Sequence, residues 1–105
     1  MPQYLITYLG TPQPATPEEG QQHMAKYRAW LSSLGDAAVS PANPVKNARV
    51  VAPDGSVTEG SNTGMSGYTI VEAADDAAAL EIVRACPFLE VGGSLEVSEL
   101  MQMPG

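Results

Sequence analysis

One histidine, one cysteine and a set of tyrosines are the residues of this chain best able to do chemistry. An imidazole has an ordinary pKa near ~6.5, so His23 can give or take a proton at neutral pH. It stands in Gln22-His23-Met24-Ala25-Lys26, one helical turn before Tyr27 and two before Trp30. The same place also suits a half-buried ring packed beside Tyr27. A carboxylate across a cleft would orient such a base. Asp36, in the connection after the helix, is a better candidate than Asp54; its other reading is a solvated loop acid. Asp54 precedes Gly55 and reads as turn chemistry. Cys86 precedes Pro87 at a helix end. Nucleophilic thiols draw on a helix N-terminus or a cation, and Cys86 lies at the opposite end, so burial is expected. A Cys–His pair with His23 is the alternative.

Tyr4, Tyr8, Tyr27, Trp30 and Tyr68 carry apolar area with polar tips, which suits a ligand cleft, a core or an interface. Tyr8, Tyr27, Trp30 and Tyr68, with Ser40, form the candidate substrate-binding set. Asn43 and Met65 are further candidates for a cleft mouth, and Glu96 and Ser98 for polar anchors on the last strand. A lone histidine and a lone cysteine fall short of a three- or four-ligand metal site. The glycines from Gly60 to Gly67 lack the Lys-Ser/Thr of a phosphate loop, and no dinucleotide fingerprint is present. No metal and no cofactor is therefore expected.

Bulk properties narrow the partners. Five basic residues against twelve acidic ones give a net charge of −7, which leaves no basic footprint for nucleic acid. No apolar run approaches membrane-spanning length, so no membrane contact is expected. Met1-Pro2-Gln3-Tyr4 does not resemble the start of a signal peptide. One cysteine rules out an internal disulfide and fits a cytoplasmic location. A chain of 105 residues reads as a single domain, 1–105, able to bury a core unaided.

The elements that must position these groups follow from pattern. Tyr4 to Leu9 reads as a strand with both sides largely apolar, so both faces should be covered. Gly10-Thr11-Pro12-Gln13-Pro14 reads as a loop. Thr16, Pro17 and Glu19 mark a helix start with a capping box. Gly20, His23, Met24, Tyr27, Trp30, Leu31 and Leu34 share one side of that helix, and Gly35 ends it. Ala37 to Val39 reads as a short strand interrupted by Pro41 and Pro44. Ala48 to Ala52 and Ser56 to Glu59 form a hairpin about Asp54-Gly55. Gly60 to Gly64 is a flexible connection. Gly67 to Ala73 is a strong strand. Asp75 caps a second helix whose apolar side is Ala79, Leu80 and Val83, and which stops before Pro87. Leu95 to Met101 is the last strand.

This order contains a ferredoxin-like βαββαβ sandwich of the α+β class, with an antiparallel sheet, two helices on one face, and a spare hairpin arm. An apolar open face costs roughly 25 cal/mol per Å², which predicts a homodimer with sheets packed face to face.

The segment Gly67-Tyr68-Thr69-Ile70-Val71-Glu72-Ala73, then Cys86-Pro87 and Gly92-Gly93-Ser94-Leu95-Glu96-Val97, resembles the YCII-related family, which includes YciI-like and DGPF proteins. Glu19-Gly20-Gln21-Gln22-His23-Met24 and Trp30-Leu31-Ser32-Ser33-Leu34-Gly35-Asp36 agree, so the likeness spans nearly the whole chain. The resemblance implies a ferredoxin-like fold paired into a dimeric α/β barrel. In the YciI-like branch a helix-one histidine and an aspartate are a proposed acid–base pair, and His23 matches that histidine. Where many of those relatives carry Asp-Pro-Tyr or Asp-Pro-Phe, this chain has Cys86-Pro87-Phe88. An arginine common three residues before the histidine is Gly20 here, and Asp54-Gly55 continues as Ser56-Val57, not as DGPF. Two functions follow as expectations: a cofactor-free enzyme with His23 as general acid/base on a small metabolite in a dimer cleft, or a non-catalytic dimeric module that binds a small ligand.

Overall fold

The computed structural model describes residues 1–10 and 15–102. The predicted loop at 11–14 and the extreme C-terminus at 103–105 lie outside them. The first strand, β1, is Gln3–Leu9. Helix α1, Pro17–Leu34, starts where the capping residues place it. The Glu19 N–H donates to Thr16 Oγ1 at 3.1 Å. The Glu19 carboxylate reaches back to the Ala15 N–H, 3.0 Å away, one residue before the N-cap. Gly35 ends the helix at φ 55°, its N–H on the Ser32 carbonyl. That positive φ is one that glycine adopts without strain.

Strand β2 runs Ala38–Pro44, longer than the predicted Ala37 to Val39. It passes straight through Pro41 because it is an edge strand. One side of it needs no partner, and proline's missing N–H can face that side. Two register shifts, between Ala38 and Ser40 and between Ser40 and Asn43, absorb the irregularity. Strands β3, Arg49–Val51, and β4, Val57–Glu59, form a separate hairpin. Its turn is held by the Ser56 N–H and hydroxyl, both donating to Asp54 Oδ1 at 2.9 and 2.7 Å. These bonds hold the Asp54 carboxyl below its usual range. Strand β5 is Met65–Glu72, helix α2 is Asp76–Arg84 with Asp75 as N-cap, and strand β6 is Ser94–Glu99.

The main sheet has the order β2-β5-β1-β6, with every neighbouring pair antiparallel. Each helix therefore joins two strands that run the same way with a third between them, the ferredoxin-like arrangement. Both helices cover the face that carries Tyr4, Ile6, Tyr8, Thr69 and Val71, all of them buried. Trp30, Ala79, Val83 and Phe88 complete that core. Ile6, with no exposed surface, alone contributes about 1.5–3 kcal/mol of apolar burial. Leu80 departs from expectation. It is exposed, and Ile82 packs on the core in its place.

The other sheet face carries Leu5, Thr7, Leu9, Tyr68 and Ile70, with Glu96 and Ser98 opposite Thr7 and Leu5 in the register. Leu5, Leu9 and Ile70 are only half-buried there. Among the described residues no helix is long and apolar enough to cross a membrane.

Candidate ligand site

A cavity of about 450 Å³ opens where the N-terminal half of α1 overhangs the end of the sheet at β2 and β5. That volume suits a small organic molecule. Its wall includes Tyr8, His23, Tyr27, Asn43, Gly67 and Phe88. The stripe of α1 explains the helical side. Its later members Trp30, Leu31 and Leu34 pack on the core. Its earlier members Gly20, His23 and Met24 line the hollow, and Tyr27 between them both lines it and packs against the core. At Gly20 the wall has no side chain.

Two glycines shape the opposite wall. A Cβ on Gly67 would meet the Asn43 carbonyl oxygen at 3.0 Å and Pro44 Cα at 3.2 Å, so a side chain there would push β2 away from β5 by a few tenths of an ångström. A Cβ on Gly93 would overlap the Phe88 ring. Phe88 follows Pro87 in the 3₁₀ turn Pro87–Val91 and meets Tyr8 edge-on at 5.3 Å.

The tyrosines are joined by a chain of hydroxyls. Thr69 Oγ1 donates to the Pro41 carbonyl at 2.7 Å. Having spent its only proton, Thr69 must accept from the Tyr8 hydroxyl, 2.6 Å away. Tyr8 must in turn accept from Tyr27, whose hydroxyl donates to it at 3.0 Å. The direction of the relay is thus fixed by a carbonyl, which can only accept. Burial pushes the Tyr8 hydroxyl well above the ordinary tyrosine value. Tyr8 stays neutral at physiological pH and cannot serve as a base there.

His23 is half-buried on the cavity wall and hydrogen-bonds to no described residue. The structure does not bring Asp36 to it. Asp36 lies in the 3₁₀ turn Gly35–Ala37, beyond the far end of α1. The helix from His23 to its last residue spans about 17 Å. Trp30 is not on the cavity wall; it is buried, and its indole N–H donates to the Ile82 carbonyl at 3.1 Å. Ser40 supports the site from behind, its hydroxyl accepting from the Asn43 amide at 2.9 Å. Asn43 itself is on the wall, and Met65 is not among the lining residues. Tyr68 borders the cavity, but the pleat turns its ring to the other sheet face, and the Asn43 amide holds its carbonyl at 3.2 Å. Cys86 is buried, and burial pushes its thiol up to about 11. That suits a core residue and leaves little thiolate for a Cys–His pair. Among the described residues no group of three His, Cys, Asp or Glu could hold a metal.

Sequence reasoning missed Phe88 and Thr69. Thr69 did carry a signal: it is a polar residue in the buried phase of an apolar strand, and such a hydroxyl needs a partner. Nothing local told that Phe88 would fold over Gly93.

No curated protein is similar enough in sequence to count as a relative. Among solved structures, the chain is similar to 5-chloro-2-hydroxyhydroquinone dehydrochlorinase from Burkholderia phenoliruptrix AC1100, determined in complex with 2,5-dihydroxybenzoquinone. The likeness has a TM-score of 0.52 at 17% identity and covers 96% of this chain and 95% of that one. It bears out the mixed α+β, ferredoxin-like fold. The model of the YCII-related domain matches residues 3–104, nearly the whole chain, and the protein belongs to the YCII-related family.

Proposed function

We propose that the cavity under α1 binds a small ring-shaped metabolite and that His23 moves a proton to or from it, without a cofactor. The observation that carries this is the meeting, in one hollow of about 450 Å³, of the chain's only imidazole with the Tyr8, Tyr27 and Phe88 rings. Aromatic walls favour a flat apolar body, and an imidazole at the rim suits acid–base work on its polar edge. The solved dehydrochlorinase of the same fold acts on 5-chloro-2-hydroxyhydroquinone and held 2,5-dihydroxybenzoquinone, which supports a ligand of ring size. No described carboxylate reaches His23, and that favours a second reading, a binding module without turnover.

The half-buried Leu5, Leu9 and Ile70 support a homodimer packed through the open sheet face, at roughly 25 cal/mol for each Å² covered. Such a dimer would cover the sheet face opposite the one that carries Tyr8 and Gly67 of the cavity wall. Light scattering should give twice the chain mass at micromolar concentration; a stable single chain would remove the partner.

The functional test is NMR of the His23 ring during titration with a panel of small aromatic metabolites. Binding should move its resonances. With a turned-over ligand in hand, His23→Ala should lower kcat by about 10²–10⁴, the usual worth of a general acid or base. Unchanged turnover would end the catalytic role. Binding without turnover of any panel member would leave the module reading in its place.

A further inference from the structure

The hydrogen-bond polarity of the wall narrows what the cavity can hold. The Tyr27 hydroxyl gives its proton to Tyr8, and Tyr8 gives its own to Thr69. The Ser66 hydroxyl donates, more loosely at 3.5 Å, to the Tyr8 carbonyl. The Asn43 amide nitrogen faces the Ser40 hydroxyl at 2.9 Å and the Tyr68 carbonyl at 3.2 Å. A carbonyl accepts only, so it is the nitrogen and not the oxygen of the Asn43 amide that must point that way. Every side-chain hydroxyl or amide proton on this part of the wall is therefore spent inside the protein. What remains are lone pairs, on Tyr27 Oη and on Asn43 Oδ1, to which no described residue donates. Lys and Arg do not occur among the lining residues, and the whole chain carries a net charge of −7. His23 alone keeps an N–H and a lone pair uncommitted to any described residue.

We infer that the cavity selects an uncharged ring bearing hydroxyl donors, a phenol of the di- or trihydroxy class, and rejects both carboxylates and ring ethers, with Tyr27 and Asn43 as the residues that set this choice. An anion would meet lone pairs with no Lys or Arg to offset them, and burying a charge unpaired is costly. An ether would leave the lone pairs of Tyr27 and Asn43 without a donor once water is displaced, a penalty of the kind that makes polar sites discriminating. A phenol supplies the missing protons. It also presents an O–H to His23. The choice is set at a distance: the Pro41 carbonyl orients Thr69, Thr69 orients Tyr8, and Tyr8 orients Tyr27. Thr69 is not among the cavity-lining residues, yet it decides the sign of the wall.

This inference rests on the ligand-binding reading above, and the test separates the two. The probes are resorcinol, its dimethyl ether and benzoate, titrated into the full chain and read by NMR of the His23 ring and the Met24 methyl. Resorcinol should bind about ten-fold or more tightly than either of the others. Tyr27→Phe should weaken resorcinol and, by removing one of the lone pairs the ether leaves unanswered, strengthen the ether, closing that gap. Thr69→Val keeps the side-chain shape but removes the acceptor for Tyr8. Tyr8 must then donate to Tyr27, the Tyr27 proton turns outward, and the ether should gain on resorcinol. Equal or tighter binding of the ether or of benzoate by the unaltered protein overturns the polarity assignment while leaving a ligand site standing. So does an equal loss of all probes in Tyr27→Phe. No response of His23 or Met24 to any probe overturns the ligand site itself, and the assignment with it.

Discussion

Tyr4 and Tyr8 lie on one strand and one sheet face, both rings buried, and their hydroxyls meet different chemistry. The Tyr4 hydroxyl reaches the Asp76 carboxylate at 3.1 Å, at the exposed start of α2. The Tyr8 hydroxyl enters a closed relay that ends on a backbone carbonyl. A hollow lies at each end. The one by Tyr4 is about 290 Å³ and is bordered by Asp76, Leu80 and Glu99, which are open to water. The one by Tyr8 is about 450 Å³ and is walled by aromatic rings. Ring burial alone does not make a site. What distinguishes the two ends is whether the polar tips are answered by water-facing charge or by a fixed internal network, because only the latter holds a set polarity against a ligand.

The sharpest way to break the contrast is to empty one end. Phe88→Ala removes a buried ring that packs on Tyr8 and lies over Gly93. It should cost about 3–5 kcal/mol in unfolding free energy. Leu80→Ala at the other end removes a side chain that is 43% exposed and should stay within about 0.5 kcal/mol. Urea midpoints of the two variants check this. Similar losses would mean that the ends are built alike.

A smaller effect appears on the alkaline side. Burial raises the Cys86 thiol from its ordinary 9.0 to about 11 in the folded chain. An acid whose folded pKa is raised stabilises fully below the unfolded value and loses that contribution as pH climbs towards the folded one. Stability should therefore fall between pH 9 and 11, with Tyr8 adding to the fall above its ordinary 10.0. Cys86→Ala should flatten the first part of this slope in a melting-temperature series. An unaltered slope would place the thiol in water.

The contrast also explains what could be read from the residues beforehand. Local chemistry was legible: Thr16, Pro17 and Glu19 start α1 and Asp75 starts α2, because caps act over one turn. The ordered alternation of strands and helices pointed to the ferredoxin-like α+β plan, because a crossover helix returns the chain to the same sheet. Pro41 misled, because strand position, not residue type, decides whether proline is tolerated. The apolar stripe of α1 located His23 but not the point where packing stops and a hollow begins. That point depends on Gly67 and Gly93, which draw distant segments close. Trp30 shares that stripe, and only its indole bond to the Ile82 carbonyl shows that it serves the core and not the ligand set. Chain order makes Asp36 a candidate partner for His23, and the length of α1 separates them.

The finest probe of the contrast is Tyr4→Phe. Burial, and then the Asp76 carboxylate, hold the Tyr4 hydroxyl above the ordinary value of 10.0. Removing the hydroxyl leaves Asp76 without its donor, but that carboxylate is exposed and water replaces the bond. The melting temperature at neutral pH should hardly move, and one late-ionising tyrosine should vanish from the ultraviolet titration. Tyr8→Phe, by contrast, strands Tyr27 and Thr69 together, since both have the Tyr8 oxygen as partner. It should lower the melting temperature visibly more. If Tyr4→Phe proved the more damaging of the two, the fixed network would belong to the Asp76 end, and the cavity under α1 would lose its claim to a preset polarity.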